Sequence, residues 1–256
     1  MAIELWAHRR GAGKPLIILH GLFGSGDNWR SLSRRFARQF DVHILDLRNH
    51  GRSPHDPEMS YRAMAEDVLQ YLDRHRLDRS HIIGHSMGGK VAMACALMYP
   101  EAVQKLVVAD IAPRDYQPAH DDIFAALDAL DPSTLESRDE GEAILKQYLP
   151  APHVRQFLLK NLQRLEDGAY EWKLNLPVIR RSYGELRTWP SFGGGTFPEP
   201  TLLIWGTESP YVTDEDRDAF LETFPVARFA GMKAGHWLHA DDPGEFYRIV
   251  REFLVE

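Results

Sequence analysis

The sequence predicts an α/β fold in which a mostly parallel, twisted sheet is flanked by helices, with a helical lid inserted between two strands. Three observations predict it. Short apolar runs alternate with amphipathic stretches, this alternation stops over a long central segment, and one strand-to-helix junction carries a serine between two glycines. Alternation of this kind is typical of βαβ units and therefore of a parallel sheet.

The predicted strands are short runs of aliphatic residues, as expected where a parallel sheet is buried on both faces. They lie at 16–19, 42–45, 81–83, 106–109 and 202–205, with a further strand near 227–229. Amphipathic patterns between them predict helices over 29–38, 61–74, 90–98, 215–224 and 243–254. The last helix has Asp242 as its expected N-cap and Pro243 at its first position.

The central segment 113–189 interrupts this alternation. It holds helical patterns at 123–130, 140–148 and 154–165 and no convincing strand, and the flexible stretch Ser191-Phe192-Gly193-Gly194-Gly195 follows it. We therefore expect residues 1–112 and 190–256 to form the core and residues 113–189 to form a lid (cap). Such a lid would cover the carboxyl ends of the strands, where open α/β sheets bind ligands. A packed helical extension without a role in binding is the alternative.

Length and composition limit the class of protein. The 256 residues fit one α/β domain with a modest insertion. The net charge of −7 gives no general attraction to nucleic acid. No apolar stretch is long enough to span a membrane, and the first residues lack a signal-peptide pattern. The single cysteine, Cys95, excludes an internal disulfide. We expect a cytoplasmic protein, and the sequence leaves its oligomeric state open.

The serine lies in Gly84-His85-Ser86-Met87-Gly88, between a predicted strand and a predicted helix. This is the sequence form of a nucleophile elbow. So tight a turn imposes strained backbone dihedrals on the serine and leaves room only for hydrogen atoms at the flanking positions. Ser86 is therefore the candidate nucleophile. The amide of Met87 is the first candidate donor of an oxyanion hole.

A serine hydroxyl needs a base that a third group orients. The chain has 12 histidines, so position must decide among them. His236 follows the last predicted strand and precedes the terminal helix, in the required order of nucleophile, acid and histidine. His85, inside the elbow, and His239 are weaker candidates.

The second oxyanion donor is expected from His20-Gly21-Leu22-Phe23-Gly24, which follows the strand 16–19. The amide of Leu22 is favoured, with that of Phe23 as the alternative. A phosphate-binding loop is the competing interpretation, but the glycine spacing does not fit the dinucleotide fingerprint. Gly11-Ala12-Gly13-Lys14 likewise departs from a P-loop, because Pro15 follows it. No cofactor is expected, and no metal either, since metal-ligand spacings such as His-Glu-x-x-His are absent.

Together, His20-Gly21, the segment 46–53, the elbow and Gly235-His236 resemble the α/β-hydrolase superfamily. The strings at 21–25, 84–90 and 109–113 resemble a narrower branch, the small YbfF-type esterases. The similarity runs nearly end to end and is weakest in the lid. It implies the α/β-hydrolase fold and esterase activity, with acyl-CoA thioesters among the candidate substrates. The segment 46–53 is expected to be structural.

One position departs from the superfamily's commoner pattern. Its triad acid usually stands as the aspartate of Gly-x-x-Asp, but here the stretch reads Gly206-Thr207-Glu208-Ser209. Two replacements are available: Asp110, at the end of the strand 106–109, and Glu208, one residue short of the usual site. The branch resemblance favours Asp110, which a strand end would also hold rigidly.

These expectations describe a serine hydrolase that cleaves carboxylic ester or thioester bonds of small acyl substrates through an acyl-serine intermediate. The lid and its rim carry several large apolar residues: Phe124, Leu127, Tyr148, Leu149, Phe157, Trp172 and Tyr211. Most of them are expected to be core contacts between the lid helices, and some are candidates for lining an acyl pocket. Two alternatives stay open, because a fold does not fix a function. They are a carbon–carbon bond hydrolase or lyase, and a non-catalytic protein that binds a small ligand.

Overall fold

A seven-stranded sheet forms the centre of the computed structural model, which describes all 256 residues. The strands of the chain are β1 (Ala7–Gly11), β2 (Lys14–Leu19), β3 (Phe40–Leu45), β4 (Ser80–His85), β5 (Val103–Ala109), β6 (Leu162–Arg164), β7 (Tyr170–Trp172), β8 (Thr201–Gly206) and β9 (Ala227–Met232). The large sheet has the order β1-β3-β2-β4-β5-β8-β9. Only β1 runs antiparallel to its neighbour.

Helices cover both faces of this sheet. They are α1 (Arg30–Phe36), α2 (Tyr61–Arg74), α3 (Met87–Met98), α4 (Asp121–Ala129), α5 (Arg138–Leu145), α6 (Pro152–Leu159), α7 (Leu176–Arg187), α8 (Asp214–Thr223), α9 (Leu238–Asp241) and α10 (Pro243–Val255). Short 3₁₀ turns lie at Gly26–Trp29, Pro100–Ala102 and Pro132–Thr134. The predicted α/β class is confirmed, and α2 has the predicted bounds.

The central strands are buried because each face of the sheet packs against apolar helix surfaces. Every residue of β3 and β4 is buried. One core cluster includes the apolar sides of α2 and α3, and a second, on the other face, includes those of α1 and α10. The predicted cap of α10 is confirmed, since the Asp242 carboxylate accepts hydrogen bonds from the amides of Gly244 and Glu245.

Residues 113–189 leave the sheet after β5 and return before β8, and they contain α4 to α7. The expectation that this insertion lacks strands is wrong, because β6 and β7 pair as a small antiparallel hairpin. Both strands have only three residues, and neither contains two consecutive apolar residues, so they lack the apolar run by which a buried strand is recognised. Gly168, with φ of 92°, lies in the turn between them.

The insertion packs against loops at the carboxyl edge of the sheet. The side chain of Asn161 donates to the carbonyl of Phe23, at 2.8 Å, and the amide of Asn175 donates to the carbonyl of Asn49, at 3.0 Å. Phe23 and Asn49 follow β2 and β3 respectively. The insertion therefore lies beside the elements that end at the candidate site.

None of the helices is both long enough and apolar enough to cross a membrane.

Candidate active site

Ser86 lies in the turn between β4 and α3, with φ of 53° and ψ of −121°. This positive φ is strained for a residue with a side chain. The neighbouring backbone explains the glycines: a Cβ atom at Gly84 would lie 2.1 Å from the carbonyl oxygen of Gly88. One at Gly88 would lie 2.5 Å from the carbonyl oxygen of His20. The turn can close only with glycine at both positions.

A chain of hydrogen bonds joins the three residues that the sequence singles out. The Oγ atom of Ser86 lies 3.1 Å from Nε2 of His236, and Nδ1 of His236 lies 2.7 Å from Oδ2 of Asp110. They come from three separate places: Ser86 follows β4, Asp110 follows β5, and His236 lies in the loop between β9 and α9. Because β4 and β5 are parallel neighbours, their carboxyl ends bring residues 86 and 110 to one edge.

Asp110 is fully buried, and the chain supplies hydrogen-bond donors to both of its carboxylate oxygens. Oδ1 accepts from the amide of Gly206 at 2.9 Å, and Oδ2 accepts from His236 and from the hydroxyl of Ser209. Glu208, the alternative acid, is exposed, and its carboxylate makes no hydrogen bond to His236. The structure brings Asp110, and not Glu208, to the histidine.

The two candidate oxyanion donors flank Ser86. The amide of Met87 is at the first residue of α3, where a helix leaves its N–H groups without intrahelical partners. The loop after β2 passes directly beside the serine, since a Cβ atom at Gly21 would lie 3.2 Å from Cβ of Ser86. In that loop the amide of Phe23 donates to Nε2 of His50, at 3.3 Å, whereas the amide of Leu22 has no partner within the chain. Because the amide of Leu22 is free to bind a ligand, this difference favours Leu22 over Phe23 as the second oxyanion donor.

The other two histidine candidates, His85 and His239, pack near the site without contacting the Ser86 hydroxyl. Nε2 of His85 donates to the backbone carbonyl of His236 at 2.8 Å, and burial holds the pKa of His85 well below its ordinary value. His239 stacks on Trp29, with ring centroids 4.3 Å apart, and burial lowers the pKa of His239 to about 3. Neither ring makes a hydrogen bond to Ser86.

Two residues make contacts with Asp110 and His236 that the sequence does not predict. The hydroxyl of Ser209, which stands where an aspartate is usual, donates to Asp110. The ring of Tyr211 stacks on the imidazole of His236, with centroids 3.9 Å apart and planes 18° apart. No local pattern in the sequence reveals either contact, because both partners come from distant parts of the chain.

A cavity of about 270 Å³ opens beside Ser86. Its wall is formed by Leu22, Tyr61, Ser86, Met87, Lys90, Ile111, Arg114, Tyr116, Gln117, Ala119, His120, Tyr183, Leu186, Arg187, Pro210 and Tyr211. Ser86 also lines a smaller cavity of about 40 Å³, whose wall includes Phe157, His236 and Trp237. Ser86 is thus part of the wall of both cavities. Tyr211 and Phe157 line them as anticipated, whereas Phe124 is buried against Phe23.

Lys90 lies on α3, one turn beyond Ser86, and its side chain is almost completely buried. Its Nζ atom donates to the carbonyls of Arg114, Arg187 and Thr188 at 2.9, 3.1 and 2.8 Å. Arg114 is near the start of the insertion and the other two are near its end. The Nζ atom of one lysine on the helix that follows the candidate nucleophile therefore joins both ends of the insertion.

Burial lowers the pKa of Lys90 from 10.5 to about 7, so this residue should make stability depend on pH. Below pH 7 the amine is protonated in both the folded and the unfolded chain, and the cost of burying its charge is fully present. Between pH 7 and 10.5 the unfolded chain binds more protons, so the free energy of unfolding rises with pH. Over this range we expect the free energy of unfolding of the wild-type protein to rise relative to that of Lys90→Met, by up to about 1.4 kcal/mol per pH unit.

Chemical denaturation of both proteins at several pH values between 6.5 and about 9.5 measures this difference. Subtracting the variant removes the titration of all groups other than Lys90. A difference that stays constant across the range would contradict the assignment.

The chain brings no group of three or more histidine, cysteine, aspartate or glutamate side chains into an arrangement that could hold a metal ion.

The fold and the site geometry define an α/β hydrolase. The sheet is mostly parallel, a serine lies in a strained strand-to-helix turn, and a histidine is hydrogen-bonded to a buried aspartate. The family model for the alpha/beta hydrolase fold matches residues 14–243, and the chain belongs to this family.

Three of the proteins that this chain is similar to are named as esterases or lipases. The esterase YbfF of Escherichia coli (strain K12) is 42% identical over 244 residues, covering 94% of this chain and 92% of that protein. The sn-1-specific diacylglycerol lipase ABHD11 of Xenopus laevis is 38% identical over 94% of this chain and 80% of its own length. A solved structure of a marine microorganism esterase has a TM-score of 0.95 and 42% identity, covering 98% of this chain and all of that chain. The protein is an ester-cleaving α/β hydrolase.

Proposed function

We propose that this protein hydrolyses carboxylic esters and thioesters of small acyl substrates through an acyl intermediate on Ser86. The observation that carries the proposal is the unbroken hydrogen-bonded series from Ser86 through His236 to Asp110. A serine becomes nucleophilic when an adjacent imidazole accepts its proton, and a buried carboxylate keeps that imidazole in the correct tautomer. The three side chains have the contacts that these roles require.

In the first half of the reaction, Nε2 of His236 accepts the hydroxyl proton while Oγ of Ser86 attacks the carbonyl carbon. The negative charge that develops on the carbonyl oxygen is stabilised by the amides of Met87 and Leu22. The imidazolium then donates its proton to the departing alcohol or thiol. In the second half, His236 accepts a proton from water, the resulting hydroxide attacks the acyl-serine, and Ser86 recovers its proton as the carboxylic acid leaves.

The cavities suggest which part of the substrate lies where. The larger one has many apolar and aromatic walls, including Leu22, Ile111 and Leu186, and suits the acyl chain. The smaller one, which Ser86 and His236 also line, suits the start of the leaving group. At about 270 Å³ the larger cavity is just below the range of roughly 300–1,000 Å³ for sites of drug-sized ligands. Short acyl groups are therefore the expected substrates, and residues 113–189 act as the lid that encloses them.

A fluorophosphonate probe tests the nucleophile, because it reacts only with an activated serine. We expect stoichiometric labelling of the folded protein, located at Ser86 by peptide mass spectrometry, and no labelling after heat denaturation. Folded protein that does not react would contradict the proposal and favour a ligand-binding role. Hydrolysis rates for p-nitrophenyl esters of increasing chain length, compared with matched acyl-CoA thioesters, would then define the acyl group and the leaving group.

A further inference from the structure

His239, in the short helix α9, is a buried histidine whose ring is packed between two aromatic side chains. Its imidazole stacks on the indole of Trp29, with centroids 4.3 Å apart and planes 5° apart. Phe246 of α10 packs edge-on against the same imidazole, with centroids 6.2 Å apart. Only 6% of His239 is exposed. These contacts fix the plane of the ring, and its two nitrogens lie in that plane.

The hydrogen-bonding capacity of this ring is not used within the chain. Nδ1 of His239 is buried without a partner, and no group of the chain bonds to Nε2. Burial lowers the pKa of His239 to about 3, so the ring carries a single proton at neutral pH. A donor enclosed without an acceptor is rarer in proteins than an acceptor enclosed without a donor. The proton is therefore expected on Nε2, which is left to meet a molecule from outside the chain.

The smaller cavity beside Ser86 is the space that this ring faces. Ser86, His236 and His239 all line it, and His239 is the one lining residue with a buried side-chain atom that lacks a hydrogen-bond partner. The rings of His236 and His239 both pack against His85, with centroids 4.8 and 4.5 Å from that of His85. The volume of about 40 Å³ has room for a few water molecules, since each needs at least roughly 10–15 Å³.

The second half of the proposed reaction needs a water molecule in this space. After the alcohol or thiol has left, the acyl group stays on Oγ of Ser86 and water can enter where the leaving group was. The attacking water donates a proton to Nε2 of His236 while one of its lone pairs faces the acyl carbon. Its other lone pair can accept a hydrogen bond, and a fixed donor there would hold the water in the attacking orientation.

We propose that His239 binds the attacking water of deacylation in the smaller cavity, through a hydrogen bond from its Nε2–H group to the water oxygen. The inference rests on the proposed function, because it concerns hydrolysis of the acyl-serine intermediate. The water oxygen forms a bond to the acyl carbon and His236 takes one water proton. The bond from that carbon to Oγ of Ser86 then breaks, and His236 returns the proton to Oγ. His239 keeps its own proton throughout.

Replacement of His239 by phenylalanine tests the inference, because it keeps an aromatic ring on Trp29 and removes the N–H donor. Rapid mixing with excess p-nitrophenyl acetate separates the half reactions: acylation releases p-nitrophenol, and intact-protein mass spectrometry measures the acetylated enzyme that deacylation consumes. We expect the rate constant of deacylation to fall about tenfold, as for the loss of one hydrogen bond. The rate constant of acylation, and with it kcat/KM, should stay within about threefold of the wild type.

Two further variants serve as controls. His239→Gln supplies an amide N–H from the same position and should recover most of the lost deacylation rate. His75→Phe changes an exposed histidine that lines neither cavity, and it should leave both rate constants unchanged. Circular dichroism and thermal melting establish that each variant folds. If the phenylalanine variant does not fold, His239→Leu removes the same donor with a more flexible side chain and has the same expected result.

The outcomes separate this inference from the proposed function. If acylation and deacylation slow in equal proportion in the folded variant, or if neither slows, the water site is wrong while the proposed function stands. If the wild-type protein hydrolyses the ester without forming an acetylated Ser86, the proposed function itself fails.

Discussion

Replacement of Ser86 by alanine is expected to lower kcat for ester hydrolysis by about 10⁶-fold, the loss typical of removing a nucleophilic serine. Alanine removes only the hydroxyl, whose Oγ atom lies 3.1 Å from Nε2 of His236. The backbone at this position, with φ of 53°, is equally unfavourable for serine and alanine, so the thermal stability should change little. Steady-state kinetics together with thermal melting measure both effects.

The variant also separates chemistry from binding. Because the walls of both cavities remain, Ser86→Ala should still bind substrate, which a non-reacting ester titrated by calorimetry would show. The exposed Ser191→Ala serves as the matched control and should retain wild-type activity. If Ser86→Ala kept more than about a hundredth of the wild-type kcat, the acyl-serine mechanism would be refuted.

Replacement of Asp110 by asparagine is expected to lower kcat by about 10⁴-fold. Asparagine preserves the shape of the side chain, but its amide group presents N–H donors where the carboxylate presented acceptors. It therefore favours the tautomer of His236 in which Nε2 carries the proton and cannot accept one from Ser86. The loss should appear in kcat rather than in KM, because Asp110 does not line either cavity.

Glu208→Gln is the matched control for this prediction. Glu208 is the alternative acid that the sequence offers, but its side chain is exposed and makes no hydrogen bond to His236. We expect its amide variant to keep kcat within about threefold of the wild type, in line with a surface substitution. A larger loss for Glu208→Gln than for Asp110→Asn would transfer the role of the acid to Glu208.

Much of the fold was predictable because a buried parallel sheet leaves a strong local signal. Strands β3 and β4 are buried along their whole length, and the consecutive aliphatic residues Ile44-Leu45 and Ile82-Ile83 within them provide the signal in the sequence. The edge strand β1 was missed since its sequence, Ala-His-Arg-Arg-Gly, is polar and only partly buried. The hairpin of β6 and β7 is not predicted because each strand has only three residues, which is too short to show a hydrophobic period in the sequence.

The candidate site likewise contains residues that the sequence predicts and residues that only the folded structure identifies. Ser86 and His236 were predictable because the elbow and the chain order are properties of the sequence itself. The choice of acid required the distance from residue 236 to residues 110 and 208, which only the folded chain provides. The preference for Leu22 over Phe23 likewise depends on His50, which occupies the amide of Phe23 from a different loop.

The anchoring of residues 113–189 has a consequence for how such enzymes diversify. Carbonyls from both ends of this segment converge on Nζ of Lys90, so the segment begins and finishes at nearly one point of the hydrolase core. Its length and composition can therefore change without displacing the sheet that carries Ser86 and Asp110. A segment of different origin that is spliced between the same two attachment points, and that keeps the hydrogen bonds to Phe23 and Asn49, should give a hybrid with the same triad geometry and a new range of accepted molecules.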